Sequence, residues 1–247
     1  MSRSSGDGVK SSPDYREAHR NGGRLVFIGD IHGCYDELIE LLDRIDPTGR
    51  DVVISCGDIA RKGPEVIRCL ELWRHRNYLA VLGNNEVKLL QFADSTVRRL
   101  LWFPDRAILR RNDLLDDIRT WPLLIDFPRE MLSAVHGGIL PGTNVSESSI
   151  HRQRDVVYRL RYIRKVDGRW EMVPKGDEKP SDVLWSTVWN GDRTVLYGHT
   201  PLEEPRFDKK AIGLDTGCVY GGKLTAAIFD DGKWETVSVK AKRAYAG

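Results

Sequence analysis

What this chain lacks narrows its class first. It has no run near the roughly 20 apolar residues that cross a bilayer, so no membrane association is expected. Residues 1–23, rich in Ser, Gly and charge, hold no apolar stretch of the kind a secretory signal needs. They are expected to be a disordered lead-in. Cysteine is scarce: Cys34, Cys56, Cys69 and Cys218, with no C-x-x-C pair. That spacing excludes a zinc ribbon and a thioredoxin-like motif. Four unpaired thiols suit a reducing cytoplasm, the expected location. An excess of one charge sign is missing too. Lys and Arg number 38 against 36 Asp and Glu, a formal net charge of +2. With no aromatic-rich basic stretch either, nucleic acid is not an expected partner. Internal repeats and low-complexity tracts are absent.

What is present is a globular chain of 247 residues, 40% hydrophobic and 30% charged, enough for a single large domain over 24–247. From Arg24 the pattern alternates. R-L-V-F-I (24–28), D-V-V-I-S-C (51–56) and Y-L-A-V-L (78–82) read as strands. Between them, the stretch from Tyr35 places Leu38, Ile39, Leu41, Leu42 and Ile45 at helical spacing, and a second helix opens at Pro64. Strands separated by helices of this length predict parallel βαβ units. Residues 86–121 read as mostly helical. The second half is richer in strand, with runs from Met131, Thr194, Ala211 and Lys223, and an Asp230-Asp231-Gly232 hairpin turn. Residues 144–183 are expected to be an insertion near the site, a basic helical stretch followed by the loop P-K-G-D-E-K-P (174–180).

Five apolar runs share an ending. Ile28 is followed by G-D-I-H-G, Cys56 by G-D, Leu82 by G-N-N-E, Val135 by H-G-G and Tyr197 by G-H-T. Alone, each is an ordinary turn. Together, five glycine-flanked strand ends can aim Asp30, His32, Asp58, Asn84, His136 and His199 at one crevice, where α/β sheets bind ligands. His19, His75 and His151 lie elsewhere and receive no role. Two carboxylates, an amide oxygen and three imidazoles suit Mn, Fe, Zn, Co or Ni, and the absence of thiolate argues against a structural zinc cluster. Six such donors are enough for two ions about 3.5–4 Å apart, the arrangement of two-metal phosphohydrolases. Cys34 and Cys218 adjoin these motifs; their simplest reading is as small buried residues.

These motifs, with L-D-T-G-C-V-Y-G-G-K-L-T-A from Leu214, resemble the calcineurin-like metallophosphoesterases. Within them they are most similar to the phosphoprotein phosphatase branch, which includes symmetrical diadenosine-tetraphosphate hydrolases and small bacterial-type Ser/Thr phosphatases. The likeness runs from residue 24 to about 230. It implies an α/β (α+β) fold, a β-sandwich flanked by helices with a dimetal site at the strand ends between the sheets. It implies that Asp30 and His32 hold one metal, that Asp58 bridges, and that Asn84, His136 and His199 hold the other. The two divalent ions, manganese first among the candidates, would supply a bridging hydroxide that attacks phosphorus in line. Lys62, where most phosphatases of the family carry Arg, is expected to hold substrate phosphate as a point charge. Arg61, Arg159 and Arg161 are further candidates for phosphate contact.

One position departs from the family pattern. The usual G-N-H-[DE] carries a histidine taken as the general acid, and here it is Asn85; the Asp that orients that histidine is replaced by Arg61. Asn has no titrating proton, and general acid catalysis contributes roughly 10²–10⁴-fold. The loss matters most for an alkoxide leaving group, whose parent resembles water with a pKa of about 15.7. A phosphate leaving group, with a second pKa of about 6, needs little help. Asn85 and Arg61, with Asp58, are therefore expected to shape a catalytic site for phosphoanhydrides such as diadenosine tetraphosphate. The alternatives are a protein Ser/Thr phosphatase acting on phosphoproteins, and a metal-binding pseudophosphatase that recognises phosphate without cleaving it.

Overall fold

The computed structural model describes residues 22–95 and 103–246. The expected lead-in falls outside these residues apart from Gly22 and Gly23, and so does the 96–102 part of the helical stretch. Strands β1 (Leu25–Ile28), β2 (Val52–Ser55) and β3 (Leu79–Ala80) pair in parallel, joined by helices α1 (Tyr35–Ile45) and α2 (Val66–His75). These are the predicted βαβ units, although Pro64 lies in a turn ahead of α2 and does not open it. Helices α3 (Asn84–Asp94), α4 (Phe103–Ile108) and α5 (Asn112–Arg119) follow, and then β4 (Ile125–Phe127) and β5 (Leu132–Ala134).

The segment 144–183 departs from its expectation. It contributes two short helices, α6 (Glu147–Arg152) and α7 (Arg154–Val157), but then three strands: β6 (Tyr162–Val166), β7 (Arg169–Met172) and β8 (Val183–Leu184). These form a separate antiparallel sheet in the order β7-β6-β8. The overlooked signal is the dipeptide Asp167-Gly168. Both residues adopt left-handed backbone, φ 49° and 79°, the geometry of a two-residue hairpin turn. The density of Arg, Lys and Glu on either side concealed the alternation. After helix α8 (Trp185–Val188) the chain returns through β9 (Thr194–Tyr197), β10 (Arg206–Asp208), β11 (Ala211–Gly213), β12 (Lys223–Asp230) and β13 (Lys233–Lys240).

Two five-stranded sheets result, ordered β13-β12-β1-β2-β3 and β10-β11-β9-β5-β4. In the first, the β12–β13 hairpin adds antiparallel to β1. In the second, β5, β9 and β11 run parallel. The period-two pattern decides which side chains meet which layer. On β1, Leu25 and Phe27 enter the space between the sheets with Ile54, Phe127, Leu132, Leu196 and Ile212. Val26 and Ile28 face the other way, onto Leu38, Leu41 and Leu42 of α1 and Leu70 and Trp73 of α2. Helix α1 stops at Asp46, whose φ of 45° breaks the helical run while its N–H still donates to the Leu42 carbonyl. No helix among the described residues is long and apolar enough to cross a membrane.

Phe27 links the two sheets most directly. It is fully buried, and its ring meets Phe127 edge-on at 6.1 Å between centroids. Phe27→Ala is expected to cost about 3–5 kcal/mol, read as a lower denaturant midpoint at unchanged slope. A loss under about 1 kcal/mol would show that inter-sheet packing does not depend on this ring.

Candidate metal centre

The six candidate ligands all stand in the first turn after a parallel strand. Asp30 and His32 follow β1, Asp58 follows β2, Asn84 opens α3 after β3, His136 follows β5 and His199 follows β9. Strands β1, β2 and β3 are neighbours in one sheet, and β5 and β9 in the other. Their carboxyl ends therefore meet at one rim of the sandwich. Asp30, His32 and Asp58 each bring a ligand atom within 4.8 Å of the others, and so do Asp58, His136 and His199. Asp58 belongs to both groups. Its Oδ2 lies 3.5 Å from His32 Nε2 and its Oδ1 3.4 Å from His136 Nε2. Asp30 Oδ2 is 3.6 Å from His32 Nε2. Asn84 joins through its Oδ1, 3.1 Å from His136 Nε2.

Two of the imidazoles are held by their Nδ1 atoms. His136 Nδ1 is 2.8 Å from the Cys56 carbonyl and His32 Nδ1 3.2 Å from that of Ala60. A ring that donates Nδ1–H to a carbonyl turns its Nε2 lone pair inward. Both Nε2 atoms point at the carboxylates, so the donor set fits divalent cations.

The backbone is bent to achieve this. His32, Asp58 and His199 have φ of 47°, 54° and 64°, and Arg61 and Lys62 have 69° and 71°. Left-handed backbone at such residues is uncommon and clusters at functional sites. Two motif glycines are required by close approach. A Cβ on Gly83 would sit 2.2 Å from Asp58 Oδ1, and one on Gly198 2.1 Å from Asp30 Oδ1.

The charges are crowded and buried. Burial, then the charge of Asp215, holds the Asp30 carboxyl well above its usual range. Burial opposes ionisation of Asp58 as well, but His136 and His32 outweigh it and keep that carboxyl well below the usual range. Burial disfavours an imidazolium at His136, yet Asp58 and Asp30 push it up to about 10. Burial lowers His32 to about 4 and, with the His136 charge, His199 to about 2. With a divalent cation bound, Asp58 and Asp30 would no longer need the His136 proton, and its Nε2 lone pair would be available as a ligand.

Two acids carry structure that the sequence reading left unassigned. Glu86 is fully buried and accepts from the N–H groups of Asp58 (2.9 Å), Ala60 (2.7 Å) and Gly83 (2.9 Å). It binds the turn after β2 to the turn after β3. Asp215, buried beside the site, accepts from Gly217 N at 3.0 Å and faces the same cleft as Asp30 and Asp58. Its signal lay in the L-D-T-G stretch, quoted above for its likeness alone.

Asn85 is committed to Asp58. Its Nδ2 donates to Asp58 Oδ2 at 2.5 Å and its backbone N to Oδ1 at 2.9 Å. Arg61 donates to Asn85 Oδ1 at 3.4 Å and lies over the Phe92 ring. Lys62 Nζ stands 2.8 Å from His32 Nε2, a positive charge in the place of a cation at that nitrogen. Arg161 donates to the His199 carbonyl at 2.7 Å, and its buried Nε has no partner. The cleft holds about 460 Å³, and Lys62, Lys88, Arg159, Arg161 and Lys175 line it. Burial, then Arg61 and Arg159, lowers the Lys88 ammonium. Arg159, Arg161 and Lys175 come from the 144–183 segment, which thus forms one wall of the cleft.

The comparisons with known proteins agree with this geometry. The model of the calcineurin-like phosphoesterases matches residues 23–237. The chain is 29% identical over 242 residues to the asymmetrical bis(5'-nucleosyl)-tetraphosphatase PrpE of Halalkalibacterium halodurans, covering 87% of this chain and 93% of the relative. It is 30% identical to the protein of that name from Geobacillus thermodenitrificans, covering 87% and 93% of the two chains. A crystal structure provisionally named a diadenosine tetraphosphatase superposes with a TM-score of 0.74 at 28% identity, over 89% of this chain and 94% of that one. A protein serine/threonine phosphatase from Saccharomyces cerevisiae, 13% identical, shares the fold at a TM-score of 0.57, over 89% and 80% of the chains. By the extent of the family match and by its strand-end motifs, the chain belongs to the calcineurin-like phosphoesterases, a family of metal-dependent hydrolases.

Proposed function

We propose that the protein is a two-metal phosphohydrolase of phosphoanhydrides, with dinucleoside polyphosphates as its substrate class. The observation that carries this reading is the commitment of Asn85. Its amide is spent on Asp58 and Arg61, so no titrating group stands where a general acid would protonate an alkoxide. A phosphate leaving group departs without that proton. Asp30, His32 and Asp58 would hold one cation, and Asp58, Asn84, His136 and His199 the other. When bound, such a pair supplies hydroxide at neutral pH and offsets charge on the phosphoryl oxygens.

The chain's own residues do the rest. Asn85 fixes the orientation of Asp58, and Arg61 fixes Asn85. Lys62, whose Nζ lies 2.8 Å from His32 Nε2, would turn from that nitrogen to a phosphate oxygen when the site is filled. Arg161 anchors the His199 loop through the carbonyl of that residue and offers its unpartnered Nε to the same substrate. Lys88, Arg159 and Lys175 add positive charge along the cleft, more than one phosphate needs and suited to a chain of them. The names of the relatives support this class, and those relatives are asymmetrical tetraphosphatases, where the motifs resemble symmetrical hydrolases. We therefore assign attack at the phosphorus next to one nucleoside, which releases AMP and ATP from diadenosine tetraphosphate. Two ADP would indicate attack at the centre of the chain.

Chelation is expected to abolish hydrolysis, and manganese to restore it; activity that survives exhaustive chelation would refute the metal mechanism. The wild-type protein is expected to turn over diadenosine tetraphosphate well ahead of a phosphoserine peptide, and Asn85→His to raise peptide turnover by about 10²-fold, the low end of general acid catalysis. Equal wild-type rates on the two substrates would remove the anhydride assignment. Lys88→Ala and Lys175→Ala are each expected to raise KM for the tetraphosphate about tenfold, equivalent to one charge-assisted hydrogen bond of about 1.4 kcal/mol. Neither should alter KM for p-nitrophenyl phosphate, and a parallel rise on both substrates would count against a polyphosphate track.

A further inference from the structure

We propose that Cys34, Glu37 and Cys218 form a second metal site, separate from the hydrolytic centre, that takes one zinc-class divalent cation in a structural role. Cys34 and Glu37 lie three residues apart, and the fold brings Cys218 to them in the core. Cys34 precedes the first turn of α1, Glu37 lies within that turn, and Cys218 sits in the loop after β11. Each is only 1% exposed. Each offers a ligand atom within 4.8 Å of the other two. Donors on one tetrahedral zinc are about 3.5–3.8 Å apart, from Zn–S near 2.3 Å and Zn–O near 2.1 Å.

The second observation concerns Glu37 itself. Its Oε1 accepts from Lys242 N at 3.0 Å and from the Tyr245 hydroxyl at 2.7 Å. Its Oε2 is buried and has no hydrogen-bond partner, so neither thiol serves it as a donor. A buried carboxylate oxygen left without a partner is costly, and a cation held with two thiolates removes that cost. Tyr245 and Lys242 hold Oε1, which leaves Oε2 as the carboxylate atom for the cation. Metal binding would displace the two thiol protons to solvent, with no redox change.

The donor chemistry separates this site from the first. The hydrolytic centre offers oxygen and imidazole nitrogen only, whereas this one offers two sulfurs, which select zinc over manganese. Its place gives it a structural task. It would tie the start of α1, one turn past Asp30 and His32, to the loop that carries Asp215 and to the C-terminal residues 242–245.

The test uses cobalt on the full-length protein after metal removal. The six candidate ligands of the first centre contain no sulfur, so a thiolate-to-cobalt charge-transfer band reports a cysteine site. The expected result is such a band at one equivalent, bleached by added zinc, absent in Cys34→Ser and Cys218→Ser and shifted in Glu37→Gln. If the serine variants do not fold, Cys56→Ser and Cys69→Ser decide: both must keep the wild-type band, and its loss in either would overturn the assignment. A wild-type protein that shows no thiolate band at saturating cobalt would overturn the proposal. So would a mass two hydrogens lighter in the purified protein, which would assign the pair to a Cys34–Cys218 disulfide. Failure of the hydrolytic reading leaves this band untouched, so the two proposals stand or fall separately.

Discussion

The carboxylate of Asp58 is the point on which the two halves of the molecule depend. It is contributed by the first sheet, yet it contacts His136 of the second and His32 of its own. A charge so deeply buried is tolerable only when its oxygens are fully used. Here Asn85 supplies two donors, and the imidazoles stand against the remaining lone pairs. The carboxylate therefore sets the distance between the rims of the two sheets as well as between two groups of ligands.

Around Asp58 the structure is organised to prevent drift. Glu86 spans three backbone N–H groups and makes the turns after β2 and β3 a single unit. Gly83 and Gly198 leave room for carboxylate oxygens that any side chain would displace. Beneath them, the alternating residues of β1 bind one face to the second sheet and the other to the helices. Packing thus fixes the strands, the strands fix the turns, and the turns hold left-handed backbone at His32, Asp58 and His199. The strain at those residues persists because every layer below over-determines it.

Much of this was legible in the sequence, for physical reasons. Leu38, Leu41, Leu42 and Ile45 repeat at the spacing of one helix face, and α1 spans Tyr35–Ile45 as their pattern predicts. The strand-end motifs were readable because a glycine beside Asp, Asn or His has a definite steric meaning. Short strands with charged faces were harder. β6 and β7 carry Arg, Lys and Glu between their apolar residues, so composition pointed away from a sheet while the Asp167-Gly168 turn pointed toward one. Glu86 and Asp215 show a different limit. Their partners are backbone N–H groups or residues distant in sequence, and neither leaves a periodic trace. The meeting of Cys34 with Cys218 is of the same kind, since only the fold brings α1 and the loop after β11 together.

The third sheet leaves the chain after β5 and returns at β9, two strands that each carry a ligand at their ends. It touches the centre through Arg161 and the His199 carbonyl, but it contributes none of the six ligands. The segment 144–183 thus adds basic side chains to a cleft whose other cations, Lys62 and Lys88, come from elsewhere in the chain. On the proposed reading, changes confined to the β6–β7 hairpin would recharge that wall without touching any of the six candidate ligands, so this scaffold could reach new substrates by editing a single excursion of the chain.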